Sequence, residues 1–243
     1  MSRLKGRRGR PMLRGGNRSY IAKRQKFSTS QIGQRIGTSN SKSTLLTTGN
    51  WALRDTRTLY QINLCQIPFG QDIDERERNM VNYRGCRICF AVRSETTLPL
   101  YFHMAIVAPK QTQTVVNADF FKGDGAERGR TFDTTLSAVQ FHCSRINTDR
   151  YTVLRHKKYL LNPTNNTSSY GADSGKSYRY FDFYTKIKRQ LRYESNADAV
   201  PIDGNIYFVY WADRFTADSG QAIQADSYSR QEQISVFFRD VKP

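Results

Sequence analysis

The sequence has no acidic residue before Asp55, although 13 Lys or Arg precede it. That absence removes any internal ion pairing from the first 54 positions and leaves a one-signed segment whose complement is a polyanion. Cysteine is also scarce. Cys65, Cys86, Cys89 and Cys143 are too few to staple 243 residues and lie in apolar context, so they read as reduced and buried. No apolar run approaches the roughly 18 residues of a membrane span, and the N-terminal stretch lacks the apolar core of a signal peptide. The expectation is a soluble product of the cytosol with no membrane partner. Histidine occurs three times, as His103, His142 and His156, with neither a nucleophile elbow nor a His-x-Glu signature beside it. The reading is therefore not an enzyme, with no catalytic residue, cofactor or metal assigned.

What is present is charge, unevenly placed. The formal net charge is +17, yet beyond Arg54 the remaining 25 of the 38 basic residues face all 21 acidic ones, a near balance. Residues 1–45 combine Arg, Lys, Gly, Ser, Thr and Gln with few apolar residues and no period, so burial cannot offset the entropy of ordering them. This predicts a disordered basic N-terminal arm over 1–45 and a folded domain over 46–243. Arg3, Lys5, Arg7, Arg8, Arg10, Arg14, Arg18, Lys23, Arg24 and Lys26 are the candidate nucleic-acid-binding residues. Small or polar neighbours let each reach a separate phosphate without a scaffold, which predicts electrostatic, sequence-insensitive and salt-dependent binding. The plainer alternative is a solvated tail acting only as a nuclear address, for which Arg7-Arg8-Gly9-Arg10 and Lys23-Arg24-Gln25-Lys26 have the composition. Tyr20 and Phe27 add two aromatic rings that suit base stacking.

Beyond residue 45 the sequence reads as strands bounded by Gly, Pro, Asn and Asp. Tyr60, Ile62 and Leu64 alternate with polar residues, as do Ile88, Phe90 and Val92 after Gly85, and Leu100, Phe102, Met104 and Ile106 between two prolines. Tyr151 and Val153, extended towards 159–161, suggest another strand, and the aromatic density of 178–187 a further one. Residues 205–211 are nearly all apolar, predicting burial on both faces, and 233–239 complete the set. The charged stretch 72–79 fits a short surface helix, while 134–143 fits either a helix or a strand. Seven strands and one ambiguous segment predict an all-β protein, a single eight-stranded antiparallel jelly-roll sandwich.

Several motifs have plainer readings that outweigh their chemistry. Gly171-Ala-Asp-Ser-Gly175-Lys176-Ser177 resembles a phosphate loop but has three residues between its glycines instead of four, with no strand before it and a strand after it. Cys86-Arg-Ile-Cys89 has the spacing of a zinc half-site, but residues three apart on a strand face opposite ways. Asp119, Asp124 and Glu127 surround glycines without EF-hand spacing and read as a turn-rich loop. Asn165 and Asn166 head glycosylation patterns that go unused in the absence of a secretory signal.

Four segments together resemble the coat proteins of small circular Rep-encoding single-stranded DNA viruses, the broad group that includes geminiviruses. They are Asp119-Phe-Phe-Lys-Gly-Asp-Gly125 with Arg128, then Asn147-Thr-Asp-Arg-Tyr-Thr-Val-Leu-Arg-His-Lys-Lys158, Ile206-Tyr-Phe-Val-Tyr-Trp211 and Ile234-Ser-Val-Phe-Phe-Arg239. Their order and spacing, with the basic arm, carry the resemblance over most of the chain. It implies a virion protein whose jelly roll closes with copies of itself into an icosahedral T=1 shell, with the arm facing inward. It also implies viral single-stranded DNA as partner and import into the host nucleus by a nuclear import receptor. The chain is short beside plant geminivirus coats, so twinned particles and insect transmission are not carried over. If about 60 copies close the shell, their arms bring roughly 600 to 800 positive charges to a genome of about one to two thousand phosphates. Arg155, Lys157, Lys158, Lys186, Lys188 and Arg189 are further candidates for the inner wall, and residues 162–177 for the outer surface. An RNA-virus or satellite-virus coat is the alternative in the same class, and a cellular nucleic-acid-binding β-domain protein the alternative outside it.

Overall fold

A computed structural model describes residues 42–96, 98–111, 114–123, 129–132, 136–163, 178–214 and 227–241. The ten arm cations, the phosphate-loop-like segment, Asp124, Glu127, Arg128, Asn165 and Asn166 lie outside the described residues.

Nine strands appear among them: β1 (Lys42–Thr48), β2 (Ala52–Asp55), β3 (Tyr60–Asn63), β4 (Met80–Ser94), β5 (Leu100–Pro109), β6 (Tyr151–Leu161), β7 (Tyr178–Arg192), β8 (Tyr207–Arg214) and β9 (Ser227–Asp240). All pairings are antiparallel. The first sheet runs β1-β9-β4-β7, with β2 continuing β1 along β9; the second runs β3-β8-β5-β6. With β1 and β2 as two halves of one strand, eight strand positions remain. From β2 to β5, and again from β6 to β9, each strand crosses to the opposite sheet, which is the double Greek key of a jelly roll. The expected fold class is therefore present.

Strand β4 shows how the sequence writes this geometry. Val81 and Tyr83 point into the core, and so do Cys86, Ile88, Phe90 and Val92, so the period-two alternation slips by one residue between the two groups. The slip is a bulge between Tyr83 and Gly85 in the pairing with both neighbours, and Gly85 absorbs it at φ 155°, in a region that side chains avoid. Between the sheets, Phe90 meets Phe102 at 5.6 Å, Phe208 at 5.6 Å and Tyr210 at 5.1 Å between ring centroids. Truncating such a ring to Ala costs about 3–5 kcal/mol.

A second core lies on the other side of the second sheet. The excursion between β5 and β6 folds back over it and packs Phe120, Phe121 and Phe132 around Trp211, with Phe141 edge-on to Phe121 and Phe132. This explains the unbroken apolar run of β8, in which Phe208, Tyr210 and Ala212 enter the central core while Tyr207, Val209 and Trp211 enter the second. The ambiguous 134–143 segment is helical over α1 (Ala138–Cys143), started by a capping box in which Ser137 and Gln140 satisfy each other's backbone N–H groups.

Three expectations are corrected. Residues 72–79 form turns instead of a helix, because Arg76 in their midst is fully buried and its backbone pairs with Pro68 and Gly70. β1 starts at Lys42, inside the stretch assigned to the arm, since Thr44 is buried there and its hydroxyl donates to the Asp74 carbonyl. Not every thiol is buried: Cys65 and Cys86 are, Cys89 is intermediate, and Cys143, at the end of the helix, is exposed.

Candidate nucleic-acid interface

The second sheet is covered on both sides, whereas no segment among the described residues covers the outer face of the first. Its residues follow from strand alternation. β7 turns Tyr180, Asp182, Tyr184, Lys186, Lys188, Gln190 and Arg192 outward, and all seven are exposed. Arg84 and Arg87 on β4 and Arg239 on β9 join them through the pairings Arg87 with Tyr184 and Asn82 with both Gln190 and Arg239.

Arg87 is neutralised locally. Its guanidinium grips Asp182 with two parallel bonds, Nε to Oδ1 at 2.9 Å and Nη2 to Oδ2 at 2.7 Å, which raises the Arg87 pKa and lowers that of Asp182. Arg84, Lys186, Lys188, Arg192 and Arg239, by contrast, form no ion pair among the described residues. Exposed cations concentrated on one face raise the local potential and attract phosphate. Around the β4 bulge, Asn82, Arg84, Lys188, Gln190, Arg239 and Asp240 help to line an open groove of about 480 Å³.

Aromatic rings stand among these charges. Tyr180 is 59% exposed and Tyr184 49%, and the Tyr184 ring lies 5.7 Å from that of Phe237. At the far end of the face, Trp51, just before β2, reaches Tyr178 at 5.9 Å. Cations interleaved with exposed rings form the surface type that single-stranded nucleic acid uses, with charge for the backbone and rings for the bases.

The six basic residues assigned to an inner wall are split by the fold. Lys186 and Lys188 are on this face. Arg189 turns the other way and donates to the Gly204 carbonyl at 3.0 Å. Arg155, Lys157 and Lys158 belong to β6 in the second sheet; Arg155 stacks 4.0 Å over Phe183, and Lys158 donates to the His142 carbonyl. Arg84, Arg239, Tyr180 and Tyr184 were missed as site residues. The period-two spacing of β7 contained the signal for the tyrosines and lysines, but the bulge and the β9 neighbour that bring in Arg84 and Arg239 are tertiary facts.

The remaining motifs find structural places. Cys86 faces the core, where burial pushes its thiol up to about 12, and Cys89 faces outward with Sγ 3.5 Å from Asp182, so the two thiols do not share a ligand site. Asp119 pairs with Arg150 at 3.3 Å. The three histidines, far apart in sequence, converge. His103 stacks on Trp211 at 4.8 Å, with His142 at 5.6 Å and His156 at 5.9 Å. Burial lowers all three pKa values, and the Lys158 ammonium lowers them further.

Neither a family model nor a curated protein sequence matches the chain. Among solved structures, it is similar to one of infectious bursal disease virus, Gx strain, with a TM-score of 0.27 and 8% identity over 82% of this chain but 32% of that one, so it spans about a third of that chain's length. A Desmodium yellow mottle tymovirus structure gives a TM-score of 0.24 and 9% identity over 81% of this chain and 93% of that one. The VP1 protein of trichodysplasia spinulosa-associated polyomavirus, in complex with GM1 oligosaccharide, gives 0.21 and 11% over 79% and 77%. The jelly-roll assignment rests on strand order and pairing, independently of these likenesses.

Proposed function

We propose that this chain is the coat protein of a small virus, that its jelly-roll domains close into an icosahedral shell, and that it packages a circular single-stranded DNA genome by contacts to phosphate without reading sequence. The observation that carries the reading is the placement of charge: residues 1–41, with 11 Lys or Arg and no acid, precede a jelly roll whose first sheet bears Arg84, Lys186, Lys188, Arg192 and Arg239 on a face that no described segment covers. Both parts present cations to one polyanion. Cationic arms and faces repel one another until nucleic acid screens them, so shell closure and genome capture are coupled. The sheet face then lines the interior, and the arm binds the genome. No catalytic step is needed. The arm's basic clusters serve a nuclear import receptor before assembly, and the protein resides in the host nucleus and then in the virion.

The test is to assemble the purified protein and examine it by electron microscopy, then sequence the nucleic acid that survives nuclease. Uniform closed shells of about 60 subunits with circular single-stranded DNA are expected. A persistent monomer at high concentration overturns the shell, and protected RNA overturns the DNA assignment in favour of an RNA-virus coat.

A further inference from the structure

Phosphate neutralisation explains the cations of the first sheet but leaves its rings without a task. Tyr184 is the most specifically built of them. Its hydroxyl donates to the Arg84 carbonyl at 3.3 Å, which lays the side chain beside Gly85 on the neighbouring strand. That seat exists because position 85 carries no side chain: a Cβ there would stand 2.3 Å from the Thr185 carbonyl oxygen and 2.6 Å from the Tyr184 hydroxyl. Phe237, paired with Gly85 from β9, meets the Tyr184 ring at 70°, edge to face. The ring is thus held from below and from one side, while 49% of the residue stays open to solvent.

The surroundings indicate what occupies the open face. Lys186 and Lys188 follow on the same face of β7 at the two-residue spacing of about 7 Å, and Arg84 and Arg239 flank the adjoining groove of about 480 Å³. A rigid ring beside a row of cations without an ion pair among the described residues fits a ligand with a flat apolar part on a polyanionic backbone. In a duplex, base faces are already stacked on one another and only edges are presented; an unpaired base offers its whole face.

We infer that Tyr184, seated on Gly85 and braced by Phe237, is a base-stacking shelf for single-stranded nucleic acid, with the strand's phosphates carried by Lys186, Lys188, Arg84 and Arg239. The inference rests on the packaging reading of the same face and deepens it, because charge alone does not distinguish a single strand from a duplex.

The experiment uses the full chain and three fluorescent probes: oligo(dT), an abasic strand of the same length and backbone, and oligo(dT) annealed to oligo(dA). Tyr184→Ala is expected to weaken oligo(dT) binding roughly tenfold. It leaves abasic-strand binding, duplex binding and the salt dependence of affinity unchanged, since no charge is removed. Tyr184→Phe keeps the ring and retains most of the affinity. Equal loss on the oligo(dT) and abasic probes, no loss on oligo(dT), or loss of self-association alone overturns the shelf. Independently of any variant's folding, photocrosslinking of an iododeoxyuridine-substituted strand to the wild-type protein is expected to attach at Tyr184 or Tyr180. Attachment confined to residues 1–41 counts against it. Wild-type protein that binds neither single-stranded probe overturns the packaging reading itself, whereas normal binding indifferent to Tyr184 overturns the shelf alone.

Discussion

The guanidinium of Arg76 lies 4.0 Å from the centre of the Tyr193 ring, and the tyrosine hydroxyl in turn donates to the Cys65 carbonyl at 2.9 Å. Arg76 also donates to the carbonyls of Ile67 at 3.2 Å, Arg78 at 3.2 Å and Ser195 at 3.0 Å, and to the Asn79 side chain at 3.0 Å. One fully buried side chain therefore ties the turns before β4 to the turn after β7. Arg76→Ala would leave the Ile67 carbonyl buried without this donor and remove the bonds to part-buried acceptors on both turns, a loss of about 1.5–3 kcal/mol. Chemical denaturation of the unassembled protein measures it; a change below about 1 kcal/mol would show that water replaces the guanidinium.

Acid should weaken the domain through its histidines. Burial, reinforced by Lys158, drives His103 down to about 2 and His156 to about 4, and lowers His142 as well. Above their ordinary value of about 6.5 all three are neutral in both states and contribute no pH dependence. As pH falls below 6.5 the unfolded chain takes up protons that the folded one refuses, so stability falls, by up to about 1.4 kcal/mol per pH unit for His103. The effect at the partly exposed His156 and His142 is smaller because water screens it. The buried carboxyls of Asp213 and Glu232, which burial raises, take up protons in the folded state and oppose this loss, so the histidine share is read from the difference between the wild type and a His103 variant. His103→Phe keeps a ring stacked on Trp211 and should flatten the urea midpoint against pH; an unchanged slope would assign it elsewhere.

The cationic face of the first sheet predicts a salt effect that discriminates between lysines. Removing Lys186 and Lys188 together should lower the slope of log affinity for a single strand against log salt by about 1.4, two phosphate contacts at about 0.7 each. Stability should hardly change, because both side chains are exposed. Lys157→Ala, on the opposite sheet, should leave the slope unaltered. Equal effects at the two places would refute the assignment of the face.

Deleting residues 1–40 should leave the jelly roll folded, because β1 begins at Lys42, while genome packaging is lost. Circular dichroism and the nucleic-acid content of the particles report the two halves of this outcome. Full genome retention by the shortened protein would reassign packaging to the sheet face alone.

The strand content was legible because a half-buried strand must alternate: Tyr60 and Ile62, Leu100 through Ile106, and the unbroken β8 all announce themselves. β1 and β2 carry no such signal, since they are short and partly polar and their order comes from β9 and from Lys42 and Thr44 holding on to the 74–77 turn. The helix expected at 72–79 failed for a related reason: its charges suggested solvent, but Arg76 is drawn inward by carbonyls distant in sequence.

By itself the sequence determined the all-β class, the one-signed charge of the first 54 residues and the near balance of the rest, because alternation and charge density are local properties of a chain. Only the tertiary structure decided which strands share a sheet, that one sheet face is roofed by the β5–β6 excursion and the other by no described segment, and that Arg84, Tyr184, Lys186 and Arg239 meet there. Those outcomes depend on antiparallel register and on the bulge at Gly85, where pairing between residues more than 95 positions apart sets which side chains become neighbours.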